Sequence, residues 1–350
     1  MQFSQSAMAG AETPKLAGLE LRHDSILNKW VIISPARGKC PSDFKSTVNT
    51  SNQSASPCPF CLHHEHECAP KIFRIPENVS EWKLRDKKSL PSCVNGEQRI
   101  KPHIDSCADT LPRFGSHDVI IETPDHAMTL AIMLDLNIFD VLCAYRTRIQ
   151  QLASNPHIKY IQVFKNHGET TRASMKHSHS QIIALPIVPS NVVTQLNNAK
   201  EYFTRTMNCN LYEYLRSEIQ SKNLSLEESS HFISFVPFAA SFPFETWIAP
   251  KDHASCYEQI EDEQAMDLAY ILRRVLQKLN HQLGNPPYNY MIHSSPLRES
   301  YEPSYCHWFI QIMPQLTHLG GFEIASGCYI NPIFLENITT ILRGVNLQNQ

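Results

Sequence analysis

Cysteine and histidine residues at short, regular spacings are the first feature of this sequence that could do chemistry. Cys58 and Cys61 form a CxxC turn, a spacing that can present two thiolates to one tetrahedral metal ion. Further along, the motif His-Ser-His-Ser-Gln begins at His177. Because alternate residues of a strand share a face, His177, His179 and Gln181 would point to one side and the two serines to the other. These patterns predict a metal site beside a reactive histidine.

His179 is the candidate nucleophile of this pattern. A neutral imidazole with an ordinary pKa of about 6.5 can attack phosphorus at neutral pH and leave again from a phosphoramidate. A metal ion on His177 would hold the strand rigid, and His179 would then present its ring to the neighbouring loops. Two alternatives stay open for His179: a further metal ligand, or a hydrogen-bonded strand histidine.

The sequence reads as two copies of one unit. Residues 117–126 match residues 244–253 in a strand, a proline and a terminal Asp-His, and an amphipathic helix pattern follows each segment. A later strand of each copy carries a histidine and a glutamine four residues apart, namely His177 with Gln181 and His307 with Gln311. The gap from the Asp-His to that histidine is 51 residues in the first copy (126 to 177) and 54 in the second (253 to 307). This agreement predicts an internal duplication with its boundary near residue 189.

Aligning the two copies assembles a first candidate metal site. It combines the CxxC thiolates with one histidine from each later motif: Cys58, Cys61, His126 and His177. Four ligands of this kind form a closed tetrahedral set, which is typical of structural zinc. The alternative is a buried structural CxxC or a redox pair, and the latter expects a βαβ context that this sequence lacks.

The second copy offers a weaker version of the same site. Its equivalent ligands are Cys209, His253 and His307, but Tyr212 stands where a second thiolate would be. Satisfied core histidines are therefore the alternative to a second metal ion. In the same alignment Phe309 stands where the first copy has His179, so only one copy keeps the reactive ring.

Hydrophobic periodicity predicts the elements that would position these residues. Strands are predicted at 29–35, 119–122, 160–164, 177–185, 246–249, 288–292 and 307–313, and helices at 135–152 and 265–279. Residues 86–113 are predicted to form a long loop or a poorly ordered segment, and residues 1–18 a disordered terminus. The predicted domains are 19–189, carrying the nucleophile and first metal site, and 190–350.

Composition limits the classes of partner. With 350 residues, 42% hydrophobic and 19% charged, the chain is long enough for two globular domains. A net charge of −3 gives no basic footprint for nucleic acid. No apolar run is long enough to cross a membrane, and the first twenty residues do not resemble a secretion signal. We therefore expect a cytoplasmic protein that binds neither nucleic acid nor membranes.

Longer blocks of sequence resemble a known family. The chain is similar to the galactose-1-phosphate uridylyltransferase branch of the histidine triad superfamily, whose members contain two such units. The resemblance is carried by "KWVIISPARGKCPSDF", "CPFC", "ECAP", "YIQVFKN", "ASMKHSHSQIIALP", "PYNYMIH" and "GGFEIASGCYINPIF". It extends from about residue 20 to 335, and such ordered blocks are far more specific than a single CxxC.

The resemblance implies a fold and a reaction. Each unit would be an α+β fold, an antiparallel sheet with packed helices, arranged in tandem. His179 would attack the α-phosphorus of a nucleotide sugar, release the sugar 1-phosphate, and pass the nucleotidyl group to phosphate or another sugar 1-phosphate. The donor implied is ADP-glucose with phosphate as acceptor, and UDP-glucose with a hexose 1-phosphate is the alternative. A catalytically degenerate nucleotide-binding paralogue is the non-enzyme alternative.

The resemblance also implies further site residues and partners. Substrate-binding positions carried over from the family are Arg37, Asn166, Gly168, Ser174, Gln181, Gly321, Phe322 and Glu323. The implied cofactor is zinc at the first metal site, with a second, weaker site at Cys209, His253 and His307. The implied partners are a nucleotide sugar and phosphate or a sugar 1-phosphate, and a homodimer is left open.

Several positions depart from the family pattern. Cys40 replaces an arginine that would pair with phosphate, and Arg172 replaces a glycine near the phosphates. The segment "SLPSC" at 89–93 is a shortened form of the base-contacting motif. Tyr212 replaces a metal thiolate, and Ala325 replaces a glycine in the sugar-side loop. These departures affect base, phosphate and sugar recognition but leave His179 and the first metal set intact.

Overall fold

The structure is a computed structural model that describes residues 20–35, 58–61, 71–75, 84–88, 115–171, 173, 175–297 and 303–347. Several predictions fall outside these ranges: the disordered terminus at 1–18, the segment 89–93, Arg37, Cys40, Arg172 and Ser174. The predicted loop at 86–113 falls outside them except for its first three residues, which belong to a strand.

The described residues form thirteen strands and six α-helices, each numbered in chain order. The strands are β1 (Glu20–Asp24), β2 (Lys29–Ile33), β3 (Lys71–Ile75), β4 (Leu84–Lys88), β5 (Ser116–Ile121), β6 (Tyr160–His167), β7 (His179–Leu185), β8 (Ser225–Glu228), β9 (Phe232–Phe235), β10 (Thr246–Pro250), β11 (Tyr288–His293), β12 (Phe309–Pro314) and β13 (Tyr329–Asn331). The helices are α1 (Asp135–Ala153), α2 (Ser190–Thr206), α3 (Asn210–Ser221), α4 (Asp262–Leu283), α5 (Gly321–Ser326) and α6 (Leu335–Arg343).

Within the described residues, ten strands form one sheet in the order β3-β4-β5-β7-β6-β11-β12-β10-β9-β8. All of its pairings are antiparallel. The order β5-β7-β6 in the first half, up to residue 189, is mirrored by β11-β12-β10 in the second half. The halves join where β6 pairs with β11, from Val163 opposite Ile292 to His167 opposite Tyr288. The α+β class with an antiparallel sheet and packed helices is confirmed.

Helices α1 and α4 carry the apolar faces that cover this sheet. Every position of the two predicted helical stripes is buried: Ile138, Val141, Leu142, Tyr145, Ile149, Leu152, Ala265, Leu268, Ala269, Leu272, Val275, Leu276 and Leu279. The helix α4 begins with a capping box between Glu261 and Gln264 and ends at Gly284, whose φ of 72° suits glycine. Both helices belong to a single apolar core that draws residues from both halves.

A smaller sheet has three strands in the order β1-β2-β13. The β1–β2 turn is closed by Asp24, whose Oδ1 accepts hydrogen bonds from the amides of Ile26 and Leu27 at 3.0 and 2.9 Å. Its strand β2 pairs parallel with β13, so the chain brings residues near both ends of its described portion together.

The structure differs from the predictions in several places, of which three concern the site and its neighbouring elements. The strands predicted at 177 and 307 begin two residues later, at His179 and Phe309, because their ladder pairing starts with His179 opposite Ile121 and Phe309 opposite His293. Residues 86–88 lie in β4 rather than a loop, since pairing with β5 supplies a partner that local periodicity does not reveal. The helix α2 was not predicted, because it buries only two of its side chains.

In the part of the chain that the structure describes, no helix combines the length and apolar character needed to span a bilayer.

The core makes a prediction about stability. Leu272 lies at the centre of α4 with 1% exposure, so Leu272→Ala should lower the free energy of unfolding by about 2 to 5 kcal/mol through lost burial and a residual cavity. Urea unfolding would measure this. The matched control is Met266→Ala on the same helix, where the side chain is 36% exposed. Equal losses in the two variants would contradict the assignment of this face to the core.

Candidate active site and metal centres

A Cys₂His₂ cluster forms beyond the end of β5 and just before the start of β7. The Cys58–Cys61 turn is closed by the amide of Cys61, which donates to the carbonyl of Cys58 at 3.1 Å. Nδ1 of His177 lies 3.7 and 3.6 Å from the two Sγ atoms, and Nδ1 of His126 lies 3.5 Å from Sγ of Cys61. All four ligand atoms lie within 4.8 Å of one another. The four side chains can therefore hold one metal ion.

Hydrogen bonding prepares His177 to act as a ligand. Its Nε2 lies 2.7 Å from the carbonyl oxygen of Thr123, so the Nε2 proton is donated there and the Nδ1 lone pair faces the cysteines. Burial lowers the pKa of His177, which keeps the ring neutral. Burial and the neighbouring Cys58 raise the pKa of Cys61 to about 11. A cation would stabilise the thiolates that this turn otherwise disfavours.

His179 lies at the start of β7 and is only 4% exposed. Its Nδ1 lies 2.8 Å from the carbonyl of His177, and donation of the Nδ1 proton to that oxygen places the lone pair on Nε2. The ring of Phe60 packs edge-on at 5.5 Å between centroids. Among the described residues, the metal-binding groups do not include His179. The geometry therefore favours an oriented imidazole over a metal ligand.

The opposite face of β7 contacts a buried ion pair. Nζ of Lys165 lies 2.6 Å from Oε2 of Glu122, and both side chains are at most 1% exposed. Ser178 donates to the same oxygen at 2.6 Å, and Ser180 donates to Oε1. Lys165 also donates to the backbone carbonyl of His179 at 3.0 Å. The pair thus connects the end of β5, strand β6 and the start of β7 directly behind the candidate nucleophile.

Two tyrosines extend this network. The hydroxyl of Tyr145 contacts Ser180 and Tyr290, which brings in one residue from the second half. Burial opposes ionisation of Glu122, but Lys165 and the serine hydroxyls outweigh it and lower the pKa of the carboxyl. Burial also lowers the pKa of Lys165, against the attraction of Glu122. Burial raises the pKa of Tyr145 well above its ordinary value, so its hydroxyl stays a hydrogen-bond donor.

Strands β6 and β7 separate at the site. Their pairing ends at Phe164 opposite Gln181, whereas β6 continues to His167 because it also pairs with β11. Asn166 and Gly168 therefore lie on one side of the split, and His179 and Gln181 on the other. The oxygen Oε1 of Gln181 lies 2.8 Å from Nε2 of His117 on β5. The split is where a phosphate group could meet donors from both strands.

Gly168 is required at its position. Its φ is +87°, in the left-handed region, and an added Cβ would lie 2.7 Å from Cβ of Pro287. The chain can therefore turn sharply directly after β6. The turn continues into a short 3-10 helix at Glu169–Thr171.

The second cluster brings Cys209, His253 and His307 together, with ligand atoms within 4.8 Å of one another. Nε2 of His307 bonds the carbonyl of Pro250 at 3.1 Å, and its buried Nδ1 has no hydrogen-bond partner among the described residues. Burial, with His253 beside it, lowers the pKa of His307 to about 3. The Tyr212 ring is stacked 6.2 Å from that of His307. These three side chains could hold a metal ion, and the ring of Tyr212 lies near them in place of the second thiolate of the first cluster.

The second-half counterpart of the nucleophile site is filled by packing. Phe309 stacks between Trp247 and His293, with ring centroids 4.3 and 4.4 Å away. Oε1 of Gln311 accepts a hydrogen bond from Nε2 of His293 at 2.8 Å, and Nε2 of Gln311 donates to Oε1 of the buried Glu245 at 2.6 Å. This face holds no nucleophile at the position equivalent to His179.

The remaining predicted residues lie elsewhere. Gly321, Phe322 and Glu323 are in α5, which packs against β13 of the three-stranded sheet and buries none of its residues. Ala325 lies in the same helix. Among the described residues, the main contacts of α5 are with β13 and not with the strand that carries His179.

Sequence reasoning missed Glu122, Lys165 and Glu245. The available signal was a charged residue inside an otherwise apolar strand: Lys165 interrupts β6, and Glu122 follows the run Val-Ile-Ile. Such residues are rarely buried unless paired, but the pairing itself depends on the fold.

Comparison with known proteins identifies relatives over most of the chain. The profile of the galactose-1-phosphate uridyl transferase N-terminal domain matches residues 93–189, and that of the C-terminal domain matches residues 195–319. The ADP-glucose phosphorylase of Arabidopsis thaliana is 48% identical over 334 residues, covering 94% of this chain and 93% of that protein. A galactose-1-phosphate uridylyltransferase of Thermotoga maritima is 25% identical, covering 94% and 99% of the two chains.

A solved structure shows the same likeness. The crystal structure of an ADP-glucose phosphorylase from Arabidopsis thaliana with bound ADP-glucose has a TM-score of 0.81 and 45% identity to this chain. It covers 94% of this chain and 100% of that one.

The buried ion pair makes a prediction. Lys165→Met leaves the carboxylate of Glu122 unpaired in the core, so it should lower the free energy of unfolding by about 3 to 5 kcal/mol. The control is the double variant Lys165→Met with Glu122→Gln, which removes both charges and should recover much of the loss. Denaturant unfolding distinguishes them, and a double variant as unstable as the single one would show that charge pairing is not the cause.

Proposed function

This chain belongs to the galactose-1-phosphate uridyl transferase family, and we propose that it is a nucleotidyltransferase that acts on ADP-glucose through a nucleotidyl-histidine intermediate. The observation that carries the proposal is His179. Its Nδ1 is tied to the carbonyl of His177, its tautomer places the lone pair on Nε2, and it lies at the split between β6 and β7. The similarity to a protein named ADP-glucose phosphorylase, solved with ADP-glucose, supports this substrate.

The proposed reaction has two displacements. Nε2 of His179 attacks the α-phosphorus of ADP-glucose, a P–N bond forms, and the bond to the bridging oxygen breaks to release glucose 1-phosphate. Inorganic phosphate then attacks the same phosphorus, breaks the P–N bond and leaves as ADP. The ring becomes cationic when it bonds phosphorus, and the hydrogen bond from Nδ1 to the carbonyl of His177 stabilises that charge.

The proposed phosphate donors come from both sides of the split. Asn166 and the backbone amides of the turn after Gly168 approach from β6, and Gln181 lies two residues beyond His179 on β7. Fixed donors of this kind stabilise charge on phosphoryl oxygens in the transition state. Arg37 and Ser174 are proposed as further donors from family resemblance alone.

Zinc is the proposed metal for the Cys₂His₂ cluster. Two thiolates and two imidazoles form a closed set that leaves no position for substrate, so the ion would contribute stability rather than chemistry. Cys58 and Cys61 lie outside the ten-stranded sheet, and His126 and His177 follow or precede its strands. The ion would therefore fasten the turn to the sheet next to His179.

A covalent adduct is the most direct test of the activity. After brief incubation with ADP-glucose and no phosphate, intact-protein mass spectrometry should find an AMP-sized adduct on the wild type and none on His179→Asn. Incubation with UDP-glucose is the matched alternative, and a UMP-sized adduct alone would favour uridylyl transfer. Folded, zinc-loaded wild type that forms neither adduct would overturn the proposal and favour a binding protein without turnover.

The zinc content of the purified protein tests whether the Cys₂His₂ cluster binds this ion. Protein purified with zinc should hold one tightly bound ion that Cys61→Ser loses, with a lower Tm, because binding energy is folding energy at such a site. Cys328→Ser is the control, since this cysteine belongs to neither cluster. Elemental analysis gives the stoichiometry. Unchanged zinc in Cys61→Ser would argue against the site, and a second ion lost in Cys209→Ser would establish the other cluster.

A further inference from the structure

A short segment of the second half lies directly against the phosphate-facing end of β6. Three successive residues, the last two of β6 and the glycine that follows, each contact this segment. Asn289 contacts Asn166, and Asn285 lies 3.3 Å from Nε2 of His167. The third is Gly168, which has Pro287 so close that a Cβ could not be added. The segment 285–289 therefore forms a wall for the turn that faces the split.

The register of the sheet places Asn289 on the same face as His179. Asn289 is directly opposite Asn166, and Phe164 is directly opposite Gln181. Opposite residues of an antiparallel pair share a face, as do residues two apart on one strand. Asn166, Gln181, His179 and Asn289 thus all point to the side of the sheet where the proposed reaction occurs.

The hydrogen bond between the two asparagines has a direction. Nδ2 of Asn289 donates to Oδ1 of Asn166 at 2.7 Å. An amide side chain has one acceptor end and one donor end. Because the acceptor end of Asn166 is engaged by Asn289, its NH₂ group is turned away from that partner and is available to the split.

We infer that Asn289 is a positioning residue that sets the amide orientation of Asn166, so that Asn166 presents hydrogen-bond donors rather than its oxygen to the phosphate. This inference rests on the proposed function, because it needs a phosphate at the split. It also assigns a role to the second half in a site whose nucleophile belongs to the first half.

The main test is a substitution that reverses the direction of this hydrogen bond with almost no change in side-chain size. Asn289→Asp is nearly isosteric, but the introduced carboxylate only accepts hydrogen bonds. The amide of Asn166 would then rotate to donate to it and would turn its oxygen toward the phosphate. We expect kcat/KM to fall roughly 100-fold, the scale of losing one fixed donor in a reacting site. Asn289→Ala only releases Asn166, and we expect a loss of roughly tenfold.

A double-variant comparison separates positioning from other effects. In an Asn166→Ala background there is no amide to rotate, so adding Asn289→Asp should cause no further loss. A structural defect, or repulsion between the new charge and the phosphate, would act in both backgrounds equally. Thermal unfolding of each variant should differ little from the wild type. Equal losses for the Asp and Ala variants, or a full additional loss in the Asn166→Ala background, would overturn the inference.

Binding provides a second readout that does not depend on turnover. In a His179→Asn background, calorimetry with ADP-glucose should give the same order of affinity: wild-type residue 289 tightest, then Asn289→Ala, then Asn289→Asp. Affinities that do not change among the three would also contradict the inference. If the protein with its native residue 289 shows neither adduct nor affinity, the proposed function fails first, and the role of Asn289 fails with it.

Discussion

Nζ of Lys165 and the carboxylate of Glu122 meet at 2.6 Å where neither side chain reaches solvent. A buried charge without a partner would cost several kcal/mol, so each residue holds the other in place. Lys165 is on β6, Glu122 follows β5, and the two serines that donate to Glu122 flank His179, so the pair determines how three strands meet. The carbonyl of His179 is bonded by Lys165 at the point where β6 and β7 no longer pair. The opening beside His179 can therefore exist without leaving the backbone unsatisfied.

The other face of β7 depends on the same alternation. Ser178 and Ser180 face the ion pair, so His177 and His179 face the opposite side. His177 contributes to the Cys₂His₂ cluster and also accepts, through its carbonyl, the Nδ1 proton of His179. One residue thus links the metal cluster to the orientation of the candidate nucleophile. A shift of the strand by a single position would exchange the two faces and destroy both arrangements.

The two halves show how a duplicated fold can diverge. Both keep a histidine bonded to a carbonyl through Nε2, and both keep a glutamine four residues later. In the second half Phe309 takes the place of His179, and it stacks with Trp247 and His293 where the first half has the imidazole ring of the candidate nucleophile. The second half still contributes to the first, because β11 borders β6 and places Pro287 and Asn289 against its end.

Local patterns and candidate ligands could be predicted from the order of the residues alone. The spacing of apolar residues predicted α1 and α4, and the two-residue alternation predicted which side chains of β7 share a face. Aligning the two copies grouped Cys58, Cys61, His126 and His177, which the structure brings within 4.8 Å. The pairing of Lys165 with Glu122 and of Asn166 with Asn289 became known only from the folded chain. These partners are 43 and 123 residues apart, and local periodicity carries no information about contacts that form only when distant strands become neighbours.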